Sequence, residues 1–476
     1  MRWKNIPLIL TVVVAAWLFF RPEWHAWLPA WPGYGIRGFI RFSAPRIALT
    51  HVKVIDGTGA PPITDATIIL SNGEILAIGT SATTPLPAGI QVLDMSGHTA
   101  IPGLVGMHDH MFYGAPSTWG YGEHEMGFSF PRLYLASGVT TVRTAGAIEP
   151  SVDLQLKRQV DKNWIAGPKM FVTGPYMNGN STPEQVAKTV DLWANRGATS
   201  FKAYTGITRA QLSAAIQAAH ARHLKVAGHL CAVGFREAAE LGIDSLEHGL
   251  VEDSEFTPEK VPDICPSQES MNNALAQVDV DGTEVRQTIR DLVEHHVAVT
   301  STLPVFETFV PFRGPSQGRI LEMLQRSFRG DYLDMRKELN SGGSRFLWPM
   351  LLRKEMQFEK RFVEAGGTLL AGVDPTGNGG NLAGFGDQRE VELLVEAGFT
   401  AIEAIHIATA NGAEFLGQSE HIGSLVPGRQ ADLVLILGDP ASKISDIENV
   451  ETVFKDGVGY DSAKLLQSVL GAVGSH

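Results

Sequence analysis

Cysteine is nearly missing from this chain: Cys231 and Cys265 are the only two in 476 residues. That excludes a disulfide framework and any metal site built on paired thiolates, so a bound metal would need histidine and carboxylate ligands. One bridge between the two is compatible with the sequence but has no support in it, and Cys231 reads as a small packing residue. Clustered positive charge is lacking as well. Lys and Arg number 39 against 51 Asp and Glu, a net charge of −12 with no long run of like sign. A nucleic-acid footprint, which needs a basic face, is thereby excluded as a partner surface. Low-complexity tracts and internal repeats are also absent. What remains, 44% hydrophobic and 19% charged residues, is the composition of a folded globular chain. Its length suits one large domain with a smaller accessory unit.

One long apolar run occurs, at the start. Arg2 and Lys4 precede Ile6–Phe20, which ends at Arg21-Pro22, and Trp3, Trp24, Trp27 and Trp31 flank it. The run falls short of the ~20 residues of a spanning helix, and no small-x-small cleavage site follows. The expectation is an uncleaved signal anchor, with the body of the chain tethered to a membrane and outside the cytoplasm. A cleaved signal, giving a secreted or periplasmic protein, is the alternative.

Residues 1–45 read as anchor and linker. From Arg46 the texture is short strands: Ala66–Leu70 and Glu74–Gly79 flank Asn72-Gly73, a strong hairpin signal. Near the other end, Ala431–Leu437 is an apolar strand and Val450–Lys455 stops at Asp456-Gly457. Residues 46–100 and 417–476 are therefore expected to pair into one small β-sandwich built from both ends.

Between them, 101–416 alternates strands with helical patterns. Strands are expected at Ala100–Met107, Val139–Thr144, Lys169–Thr173, Thr199–Tyr204, Leu224–His229, Ile243–His248, Val297–Leu303 and Gly367–Val373. Eight such alternations predict a (β/α)8 TIM-type barrel, an α/β fold. Leu250–His296 and Pro304–Gly366 are longer intervals, expected as extended loops or extra helices over the mouth.

The chemistry-bearing residues fall at the C-terminal ends of these strands, where barrel sites form. His108 and His110 are two apart in an extended segment, so both imidazoles point the same way and can share a metal. His229 ends the fifth strand, His248 the sixth and Asp374 the eighth. The other histidines, such as His51, His98, His220, His223, His406 and His421, read as surface or core residues. Lys202 lies in the apolar fourth strand, where burial disfavours its charged form. A neutral amine there can take up carbon dioxide, and the resulting carbamate is an anion whose two oxygens can bridge two metals. Tyr204, two residues on, faces the same side as Lys202, either to hydrogen-bond a substrate carbonyl or to pack the barrel. Arg143 would hold a substrate carboxylate or make a structural salt bridge. His124, in the first loop, is a candidate rim contact.

The stretches "IPGLVGMHDH", "GVTTVRTAG", "SFKAY", "VAGHL", "SLEHG", "LLAGVDP" and "GSLVPGRQADLVLI" resemble the amidohydrolase superfamily from about residue 46 to 460, and within it the imidazolonepropionase-related, prolidase-like branch. The resemblance implies a binuclear site of two divalent ions, most often zinc. His108, His110 and Asp374 would hold the inner ion, His229 and His248 the outer one, and carboxylated Lys202 would bridge them. The family often has Asp after the Arg of the second strand; here Thr144 follows Arg143. The function implied is hydrolysis of an amide bond by a metal-activated hydroxide, with Asp374 moving the proton, on a small molecule or short peptide. A dipeptide or N-acyl amino acid is the expected substrate. Alternatives are a cyclic-amide (lactam or hydantoin) hydrolase, a mononuclear deaminase-like enzyme, or a membrane-tethered binding protein without turnover. Substrate identity, the metals and the oligomeric state are left open by the sequence.

Overall fold

The computed structural model describes residues 35–118, 120–314, 318–341 and 347–474. The strands that carry the expected ligands are parallel: β1 (Leu104–Asp109), β2 (Val139–Thr144), β3 (Lys169–Phe171), β4 (Thr173–Met177), β5 (Ser200–Ala203), β6 (Lys225–Gly228), β7 (Ser245–Glu247), β8 (Ala298–Ser301) and β9 (Leu369–Ala371). Each is short and most are fully buried, as strands covered on both faces must be. Their pairing gives two sheets, β3-β2-β1 and β4-β5-β6-β7-β8-β9, with only Val172 between β3 and β4. The fold is TIM-barrel-like. Strand pairing among the described residues does not close the expected eight-stranded ring, because β9 ends three residues before Asp374. Hydrogen bonds from the Asp374 amide to the His108 carbonyl (2.8 Å) and from the Val373 amide to Asp109 Oδ1 (3.4 Å) join the far ends instead.

Strands from both ends of the described chain join in one hydrogen-bonded sheet. Nine strands contribute, and Leu433–Leu437 pairs antiparallel with His98–Pro102 at its centre. Ile47, Leu49, Ile68, Leu433, Leu435 and Phe454 pack against one another, so the sheet wraps its own core. Both tight-turn dipeptides form hairpins: Asn72 and Asp456 adopt positive φ (52° each), followed by Gly73 and Gly457. The two turns touch, and a Cβ on Gly457 would lie 2.7 Å from Gly73 Cα. Only glycine lets turns from opposite ends approach so closely.

The two long intervals are helical. Leu250–His296 holds Gln268–Gln277 and Thr283–Glu294. The second holds α1 (Leu303–Glu307), Gly318–Met323, Arg326–Asn340 and α2 (Trp348–Glu364). The next helix, α3 (Phe385–Glu396), follows the Asp374 loop. Cys231 and Cys265 form a disulfide, with Cα atoms 4.9 Å apart, so Cys231 is not the plain packing residue expected. It ties the loop after β6 to the first long insertion.

Membrane anchoring is not upheld. Among the described residues no helix is long and apolar enough to cross a membrane. The Ile6–Phe20 segment and its tryptophans lie outside the described residues.

Candidate metal centre

His108 is the fifth residue of β1 and His110 immediately follows that strand; both are buried. His229 and His248 directly follow β6 and β7, and Asp374 lies three residues past β9. His248 and Asp374 adopt positive φ, 72° and 45°. Non-glycine residues in that region cost about 1–3 kcal/mol each and persist where the surroundings over-determine them, as at functional sites.

Ligand-type atoms of His108, His110 and Asp374 all lie within 4.8 Å of one another. This is a group capable of holding a divalent metal ion. Each imidazole is steered by its other nitrogen. His108 Nδ1 meets Glu247 Oε2 at 2.5 Å, which turns Nε2 toward Asp374 Oδ2, 3.9 Å away. His110 Nδ1 meets the Gly146 carbonyl at 3.0 Å and its Nε2 lies 3.4 Å from Asp374 Oδ1. His248 Nδ1 is held by Thr302 Oγ1 at 2.7 Å; its Nε2 reaches His229 Nδ1 at 3.0 Å and Asp374 Oδ2 at 3.9 Å. Such partners fix ring orientation in metal sites. Burial, reinforced by the Lys202 charge, pushes the His108 imidazole down to about 3; burial and the neighbouring His229 lower His248 as well. Neutral rings are what a metal requires. Burial opposes ionisation of Asp374, but His108, His110 and His248 outweigh it and hold the carboxyl below its ordinary range.

Lys202 sits in the same space, 1% exposed, and its Nζ has no hydrogen-bond partner. Burial, with Arg143 adding to it, pushes its ammonium down to about 8 against the pull of Glu247 and Asp374. Those residues therefore fit divalent metal on three counts: converging ligand atoms, neutral oriented imidazoles and an orphaned buried amine.

Arg143 does not face a substrate. It is 1% exposed and its guanidinium is consumed by protein: Nη2 to Glu247 Oε1 (2.8 Å), Nε to the Met107 carbonyl (2.7 Å) and Nη1 to Ser245 Oγ (3.2 Å). The structural salt bridge is the reading that fits. Tyr204 is 36% exposed with its ring 5.1 Å from that of His229, at the edge of the site. His124 lies outside the ligand group, on a hairpin strand (Gly120–Glu125), its ring edge-on to Phe328.

Sequence reasoning passed over Glu247, which orients His108 and neutralises Arg143. A carboxylate inside the apolar "SLEHG" strand was the available signal. Thr302, a plain hydroxyl in an expected strand, and Glu252, in a long insertion and 3.4 Å from His229 Nε2, gave no comparable signal.

The amidohydrolase family pattern matches residues 99–458. No curated protein is significantly similar by sequence. Among solved structures, the chain resembles a Xaa-Pro dipeptidase with methionine bound in its active site (20% identity, TM-score 0.65, covering 87% of this chain and 100% of the other). It also resembles the ochratoxinase of A. niger (18%, 0.63, 88% and 96%) and a bottromycin amidohydrolase (20%, 0.66, 90% and 89%). At these identities the likeness concerns the fold.

Proposed function

The chain belongs to the amidohydrolase family and is a hydrolase acting on carbon–nitrogen bonds, and from that premise we propose that it cleaves a linear amide, a dipeptide or N-acyl amino acid, at a binuclear metal centre. His108, His110 and Asp374 would hold one ion and His229 and His248 the other, zinc being the expected metal, with Lys202 as a carbamate between them. Bound there, divalent ions supply an acidified water as nucleophile at neutral pH and polarise the scissile carbonyl.

The protein's own groups do the rest. Asp374, unprotonated at neutral pH, accepts the proton of the attacking water and delivers it to the leaving amine. Tyr204, whose hydroxyl burial raises to about 12, stays a donor and can bond the carbonyl oxygen as charge develops. Glu247 and Thr302 keep His108 and His248 aimed.

The observation that carries this reading is the Lys202 nitrogen, buried among imidazoles and carboxylates with no partner. A mononuclear deaminase-like site has no use for such a lysine. That the structural relatives include a Xaa-Pro dipeptidase supports a linear substrate. The test is a hydrolysis screen of dipeptides and N-acyl amino acids on zinc-loaded protein, with metal analysis. Close to two ions per chain are expected, and chelation abolishes turnover. Lys202→Ala loses the second ion and most activity, with partial rescue by a small added carboxylate. Full activity in metal-free protein, or one ion with deamination as the reaction, would overturn the proposal.

A further inference from the structure

A second buried polar group lies on the opposite side of the strand ends. In β8, Thr300 approaches Arg143 inside the barrel, so Ser301, by strand alternation, faces the helix layer. There three glutamates meet: Glu355 and Glu359, one turn apart on α2, and Glu390 on α3, none more than 1% exposed. Glu355 Oε2 accepts the amide of Val251 at 2.8 Å, and Glu390 Oε2 accepts that of Leu303 at 2.9 Å. Val251 is three residues after His248. Leu303 directly follows Thr302, whose hydroxyl holds His248 Nδ1. Both carboxyls therefore seat loops on which one imidazole depends. The seating is close: a Cβ on Gly249 would fall 1.9 Å from Glu355 Oε1.

Glu359 lies one turn from Glu355 on α2 and near enough to Glu390 to repel its charge. Both its oxygens, together with Glu355 Oε1 and Glu390 Oε1, are buried without a hydrogen-bond partner. Ser301 approaches Glu359 and Glu390 without reaching bonding geometry to either. Burial first, then mutual repulsion, raises all three carboxyls. The other ionisable groups facing them are also acidic, Glu252 toward Glu355 and Asp387 toward Glu390. The neighbouring cations turn away, Lys360 over Phe399 and Arg389 to Glu307. Three like charges cannot be buried together ionised, whereas carboxylic acids can hydrogen-bond one another and their amide donors at once.

We propose that Glu355, Glu359 and Glu390 form a proton-sharing carboxyl brace that seats the His248 and Thr302 loops, with Glu359 the positioning residue that links the two anchors. The consequence for metal rests on the reading of His248 as a ligand; the seating itself does not.

The test uses the full chain and two variants, Glu359→Gln and Glu359→Leu. Amide hydrogen exchange is followed in metal-free protein at 249–252 and 302–305, and zinc binding is titrated separately. Glutamine, which donates and accepts as a carboxylic acid does, should leave exchange in both segments within 2-fold of the parent. Leucine should accelerate both at least 10-fold, leave 104–110 unchanged, and weaken the second zinc ion about 10–100-fold. A Leu variant that matches the parent in both segments overturns the brace, as does equal loss in Gln and Leu, which would mean packing alone. A third zinc held by the parent and lost in Glu359→Gln would also overturn it, identifying a cation site. Should Glu359→Leu fail to fold, parent and Glu359→Gln are compared at pH 7 and 9. Protection corrected for intrinsic exchange should drop in the parent and persist in Gln; no difference overturns the brace. A parent that binds no second zinc yet shows the expected exchange pattern sinks the binuclear reading and sustains the brace.

Discussion

On the inner side of the strand ends both signs meet, Arg143 and Lys202 beside Glu247 and Asp374, and Arg143 bonds Glu247 at 2.8 Å. On the outer side, Glu355, Glu359 and Glu390 carry one sign only. Burial acts on both groups, with opposite results. Within the first, burial disfavours ionised Glu247, but Arg143, Lys202 and His108 overcome it and hold the carboxyl well below its ordinary range. Nothing comparable opposes it in the second, where the carboxyls rise. The difference teaches that a buried polar cluster can be neutralised by opposite charge, which fixes geometry and reactivity, or by retained protons, which fixes geometry alone. Only the first kind can work on a substrate.

The largest effect that would sharpen this contrast belongs to Asp374. Asp374→Asn keeps the shape but removes the proton acceptor of the proposed reaction, so turnover should fall by about 10²–10⁴-fold with much less change in substrate affinity. Steady-state kinetics on zinc-loaded protein decides it, and near-normal turnover would mean that another group moves the proton.

Next comes Glu247→Ala, which strands Arg143 as a buried unpaired cation. A loss of about 3–5 kcal/mol in urea unfolding is expected, together with weaker metal binding as His108 loses its steering partner. If stability barely changed, the inner cluster would not be neutralised by its ion pair. Somewhat smaller is the contribution of the disulfide, which closes a loop of 34-residue separation beside His229. Replacing Cys231 and Cys265 together by Ala should cost roughly 3–4 kcal/mol on the chain-entropy account. An unaltered midpoint would show the bridge to be dispensable for holding that loop.

The inner cluster was largely legible in the sequence and the outer one was not, for a physical reason. His108, His110, His229, His248 and Asp374 close apolar strands, where a polar side chain is conspicuous, and the strand order puts all of them at one end. Glu355 and Glu359 are four apart in a helix rich in Lys, Arg and Glu, the spacing of an exposed face. Their burial comes from the packing of α2 against the Gly249–Glu252 turn, α1 and β9, which sequence periodicity does not encode. Arg143 was ambiguous on similar grounds: its partner Glu247 is 104 residues away. Hairpins at Asn72-Gly73 and Asp456-Gly457 were legible because positive φ demands those residue types, whereas the contact between the two turns was not.

The smallest effect, and the one that separates the clusters by sign, is the pH dependence of stability. Burial raises the Glu355 carboxyl to about 8 from an ordinary 4.5, with Glu252 and Glu390 adding to it. Between those values the folded chain holds a proton that the unfolded chain has released. The unfolded state therefore binds fewer protons, and stability falls as pH rises through that window, by up to about 1.4 kcal/mol per pH unit for each such proton. At pH below 4.5 the contribution is fully present; above 8 it is gone. Glu355→Gln cannot release the proton, so its urea-unfolding free energy should decline less steeply than the parent's between pH 6 and 8, the difference between the two curves cancelling the histidines that titrate in both. Parallel curves would show that Glu355 is ionised in the folded chain, and the outer cluster would then need a cation, as the inner one does.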